Sequence, residues 1–158
     1  MRQVPGLFRR PHGPADLFQP MPGQPISFQE AVEQAVSHDA RYQPEAYAFV
    51  RDALHDAATK FRGDADDQHV SGQELLEGVR GHALREFGPM AWFLMQEWGV
   101  LRGEDVGCIV YNLIECGYFG RNEGDSIEDF AGGYDFEEAF TKPYRPAGNA
   151  RKSENTNS

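Results

Sequence analysis

Asp52 and His55 stand three residues apart, and His82 and Glu86 four apart, within stretches of helical apolar spacing. Either spacing places both side chains on one helix face. The acidic-x-x-His pair is a ligand pattern of carboxylate-bridged di-metal bundles, which need two such pairs and two further glutamates. Val79 occupies the position where a carboxylate would have to precede His82, so the second pair is incomplete. The four residues are candidates for a metal or small-ligand site. The plainer reading is histidines beside acids on the surface of an acid-rich chain, and no metal or cofactor is expected.

Nucleophilic chemistry finds less to build on. Ser71 precedes an apolar helical run and is followed three residues later by Glu74, so its hydroxyl is expected to cap a helix. Cys116 falls near a predicted helix C-terminus, where the negative end of the dipole disfavours a thiolate. Neither GDADDQ at 63–68 nor RNEGDSIEDF at 121–130 has the ligand alternation and closing glutamate of a calcium loop. No catalytic residue is assigned, and a non-catalytic protein is expected.

Those side chains must be held by helices. Ser27-Phe-Gln-Glu30 and Ser71-Gly-Gln-Glu74 both read as capping boxes, and Pro44 and Pro89 suit first helical turns. Helices are expected from Ser27 to about His38 and from Pro44 to Phe61. A third should run from Ser71 to Phe87, with Leu75, Leu76, Val79, Ala83, Leu84 and Phe87 facing inward. Two more follow, from Pro89 to Trp98 and from about 103 to 117. Tyr118 to Gly133 reads as irregular with a short hairpin, and DFEEAF at 135–140 as a final turn or two that docks Phe136 and Phe140. The expected fold is mostly α: one compact domain of about six helices over residues 26–140, with a winged-helix-like tri-helical part. Disordered tails are expected at 1–25, which holds six of the ten prolines, and at 141–158.

The helices at 89–98 and 103–117, joined by a short glycine-containing turn, invite a helix-turn-helix reading. The outward face of the would-be recognition helix, however, is expected to be Glu104, Asp105, Cys108, Tyr111, Asn112 and Glu115, without a cation after Arg102. Contacts to bases and phosphates draw on cationic side chains. Charge argues the same way. Arg2, Arg9, Arg10 and Asp16 put residues 1–25 at +2, and Lys142, Arg145, Arg151, Lys152 and Glu154 put residues 141–158 at +3. Of the chain's total of −10, residues 26–140 therefore carry −15. Nucleic acid is not the expected partner.

Cys108 and Cys116, eight apart on one helix, have α-carbons roughly 12 Å apart at about 1.5 Å per residue. That exceeds the ~7 Å limit of a disulfide, and a reducing compartment follows. With no membrane-length apolar run and no apolar stretch after the N-terminal arginines, a cytoplasmic protein is expected.

The runs SGQELLEGVRGHALREFGPMAWF at 71–93, GVLRGEDVGCIVYNLIE at 99–115 and YDFEEAF at 134–140 resemble an uncharacterised family of small bacterial proteins of planctomycete and verrucomicrobial type. The resemblance spans about residues 27–140. It implies no activity and assigns no site.

Two features remain. Gly78 and Gly81 interrupt a helix interior, each at a cost of about 1 kcal/mol relative to alanine, and tight helix packing is their expected reason. Met90, Trp92, Phe93, Leu94, Met95 and Trp98 crowd one short helix nearly all round. They cannot all face one neighbour, so a side is expected to be left for another protein or a second copy. Trp92, Met95, Trp98 and Tyr111 are the candidate interaction residues, and a protein-interaction or regulatory adaptor module is the expected function.

Overall fold

The computed structural model of the chain describes residues 26–120 and 124–146. It is mostly helical: α1 is Phe28–His38, α2 Pro44–Arg62, α3 Gly72–Phe87, α4 Ala91–Trp98, α5 Gly103–Glu115 and α6 Phe136–Thr141. Turns of 3-10 helix lie at Gly88–Met90, Ile127–Phe130 and Lys142–Tyr144. The tail assigned to 1–25, and residues 147–158 of the tail assigned to 141–158, lie outside the described residues.

The helix starts follow from local chemistry. The Ser27 and Ser71 hydroxyls accept from Glu30 N and Glu74 N, each at 3.1 Å. Glu30 and Glu74 accept in return from Ser27 N at 3.1 Å and Ser71 N at 3.0 Å. Two orphan amides are thereby satisfied at each helix start. Gly99 closes α4 at φ 88°, a left-handed conformation that favours glycine, and turns the chain into α5.

Packing centres on α2 against α3. A β-carbon on Gly78 would fall 2.6 Å from the Ala53 carbonyl oxygen and 2.8 Å from Ala57 Cβ, so the two backbones meet where glycine and alanines coincide. The packing expected of that glycine is present. The core gathers Tyr47, Leu54, Leu75, Val79, Met95, Ile109, Leu113 and Phe136, all buried.

No strand occurs among the described residues, which corrects the expected hairpin within 118–133 and with it the wing of a winged helix. In its place Ser126 opens a 3-10 turn. Its hydroxyl accepts from Glu128 N at 3.2 Å, and the Asp129 carboxylate accepts from Ser126 N at 3.1 Å. That turn drives Phe130 against α5, where β-carbons on Gly103 and Gly107 would meet Phe130 atoms at 2.7 and 2.8 Å. The helical fold also passes the boundary expected at 140. Thr141 Oγ1 donates to the Glu137 carbonyl at 2.7 Å, and Pro143 lies in the first turn of the 3-10 helix that carries Tyr144 back toward Gly88.

Candidate functional site

Asp52 and His55 both lie on the exposed side of α2, and Asp52 takes a bond of 3.3 Å from Arg51. His82 does not turn to Glu86. Its Nδ1 stands 2.6 Å from Asp56 Oδ2, and Arg85 bonds the same carboxylate. A carboxylate only accepts, so Nδ1 carries the proton it donates. Burial opposes ionisation of Asp56, but the bonds from His82 and Arg85 outweigh it and hold the carboxyl below its usual range. Glu86 is exposed, with Arg85 Nε 3.8 Å away. Among the described residues no group of three or more His, Cys, Asp and Glu side chains could hold a metal ion. The four sequence candidates are thus not brought together, and Asp56, which the spacing argument passed over, is the true neighbour of His82.

An Asp–His pair orients an imidazole as a catalytic triad does. Here no serine, threonine or cysteine side chain bonds His82 among the described residues. Its ring leans instead on Phe49, 5.5 Å between centroids. Phe49 also meets Phe87 at 5.9 Å and Trp98 at 5.6 Å, and Phe87 meets Trp98 edge-on at 5.6 Å. The arrangement is a polar clasp between α2 and α3 beside an aromatic cluster. It lacks a nucleophile.

The most fully bonded polar group ties α1, α2 and α5 together. Asp39, which ends α1, accepts from Arg41 Nε at 2.9 Å, Arg41 Nη2 at 2.8 Å and Asn112 Nδ2 at 3.0 Å. The Arg41 bonds, aided by Asn112, overcome burial and hold the Asp39 carboxyl well below the usual carboxylate range. Asn112 also donates to Tyr47 Oη at 2.9 Å. Tyr42 donates to Asp105 Oδ1 at 2.6 Å, and the other Asp105 oxygen accepts from Leu101 N at 2.9 Å. Burial and then Asp105 push the Tyr42 phenol up, and burial does the same for Tyr47. These are bonds of architecture, since both tyrosines are buried.

This network corrects the expected outward face of α5. Asp105 bonds Tyr42 between α1 and α2, Asn112 bonds Asp39 and Tyr47, and Cys108 and Tyr111 are half-buried against the core, while Glu104 and Glu115 are exposed as expected. Both cysteines are free, and burial followed by Glu115 pushes the Cys116 thiol up.

Among the interaction candidates, Met95 is 0% exposed and offers no surface to a partner, which corrects its assignment. Trp98 is engaged by Phe49 and Phe87, while Trp92 and Tyr111 are half-buried against the core. The large apolar side chains that α4 and its preceding turn do present are Met90 and Phe93, each 52% exposed. A helix of eight residues has one narrow inner stripe, filled by Ala91 and Met95. Met90 and Phe93, three apart, are rotated away from it. Sequence reasoning saw the crowding but not which side faces out.

Comparison of the chain with protein-family models, with curated proteins and with solved structures finds no match.

Proposed function

We propose that the protein is a non-catalytic interaction module that docks another polypeptide through the outer side of α4. The observation that carries this reading is the exposure of Met90 and Phe93 at 52% each, beside half-buried Leu94 and Trp92. Met90, Phe93 and Leu94 are spaced i, i+3 and i+4, so they form one continuous face. Single exposed apolar residues are ordinary, but a clustered Phe and Met are of the types enriched at protein interfaces. The metal-ligand and nucleic-acid readings have no comparable support.

The test replaces Met90 and Phe93 together with serine. Because both side chains are already half in water, the variant should keep its helical circular dichroism and its melting temperature. It should lose whatever self-association sedimentation detects in the parent protein, or the partner cross-links that map to α4 there. A parent chain that stays monomeric and gives no α4 cross-link in its native extract would remove the reading.

A further inference from the structure

We propose a second docking site, a trough over α1 that takes a polypeptide segment pairing large apolar side chains with an adjacent arginine or lysine. It does not depend on the α4 reading. One stretch of the trough, of about 560 Å³, is lined by Phe28, Val32, Val36 and Pro44. The adjoining stretch, of about 670 Å³, carries Glu33 and Glu115, and Glu33 borders both. The apolar stretch and the acidic stretch thus meet at Glu33 and Ser37.

Charge complementarity selects the occupant. Glu33 accepts only a 3.5 Å bond from Gln29, and no arginine or lysine pairs with Glu33 or Glu115 among the described residues. The Arg51 guanidinium lies over the Phe28 ring at 4.3 Å from its centroid. Like charge there disfavours a ligand cation near Phe28, so the cation goes to the carboxylates and the apolar side chains to Phe28 and Val32. The −15 carried by residues 26–140 draws a cationic segment in at long range. An acidic or purely polar partner gains neither half of the trough.

A suitable probe is a fluorescein-labelled peptide containing Leu-Phe-Arg-Arg, an order the chain itself has at Leu7–Arg10. It is titrated with the full chain by anisotropy at about 0.15 M salt, where screening acts beyond about 8 Å. Saturable binding is expected, weakened about tenfold by Glu33→Arg and by Val36→Ser, both at partly or fully exposed positions. A peptide with glutamates for its arginines should bind Glu33→Arg better than the parent. Phe93→Ser should leave the affinity unchanged, which separates this site from α4. The proposal is overturned if a serine-for-Leu-Phe peptide binds equally well, since only net charge is then being read. It is also overturned if Glu33→Arg has no effect. Leu7→Ser with Phe8→Ser in the full chain supplies the last arm. A rise in probe affinity would assign the trough to the chain's own segment in place of a partner, and unchanged affinity supports the partner.

Discussion

Gly78 and Gly81 are alike in sequence and opposite in surroundings. A side chain at Gly78 would strike the Ala53 backbone, whereas one at Gly81 would meet nothing within 4 Å. Gly81→Ala should therefore stabilise the protein by about 1 kcal/mol, the helix-propensity difference alone. Gly78→Ala gains the same propensity but must push α2 away, for a net loss of about 1–3 kcal/mol. Urea unfolding of both variants checks the pair, and shifts of one sign would contradict the packing account. Asp39 offers a pH test. Its folded carboxyl is held below the ordinary value of 3.8, so its contribution is present above that value and fades as pH falls toward the folded one. Asp39→Asn should cost about 1–2 kcal/mol near neutrality, discounted because Arg41 is largely exposed. The gap between variant and parent should narrow below about pH 4. A gap constant from neutrality to pH 3 would mean that the charge of Asp39 contributes nothing.

At the scale of elements, the two capping boxes have the same design but unequal duties. Glu30 serves only the start of α1 within its box. Glu74 caps α3 and also takes a 2.7 Å bond from Arg62, whose Nε reaches the His69 carbonyl at 2.6 Å. It thereby ties the end of α2 to the start of α3 across the loop between them. Glu74→Ala should cost about 1–2 kcal/mol, against about 0.5–1 kcal/mol for Glu30→Ala. Thermal unfolding of the two variants ranks them, and equal losses would reduce Glu74 to a simple cap. Residues 118–133 show how an element can be misjudged. They read as irregular with a short hairpin, yet the serine cap and the two α5 glycines make a 3-10 turn with a buried Phe130 the better-bonded outcome. The glycines that admit Phe130 lie more than twenty residues upstream, beyond any local pattern.

For the molecule as a whole, net charge sets how stability responds to salt. With −15 spread over residues 26–140 and mostly part-exposed ion pairs, self-repulsion in the folded state is expected to exceed what those pairs return. Added salt screens the repulsion, so the melting temperature should rise as sodium chloride goes from about 0.02 to about 0.5 M. A fall over that range would mean that attractive pairs prevail. Among the described residues no helix is long and apolar enough to cross a membrane. The exposed apolar surface at Met90 and Phe93 is the basis of the α4 proposal.

Helix positions were legible in the chain because their determinants act within about four residues. Ser27 with Glu30, Ser71 with Glu74, Pro44, Gly88 and Gly99 each satisfy or terminate backbone bonds locally, and the helices begin or end beside them. The acidic balance and the crowding of α4 were equally plain. What holds the helices together was not. Asp56 meets His82 from 26 positions away, and Asn112 reaches Tyr47 and Asp39 across 65 and 73. Periodicity shows that α5 has a polar side but not that α1 and α2 cover it. It shows that α4 is apolar nearly all round but not that Met95 is enclosed while Phe93 is exposed. Those outcomes depend on how close one backbone can come to another, as Gly78 against Ala53 illustrates, and only the assembled fold sets that distance.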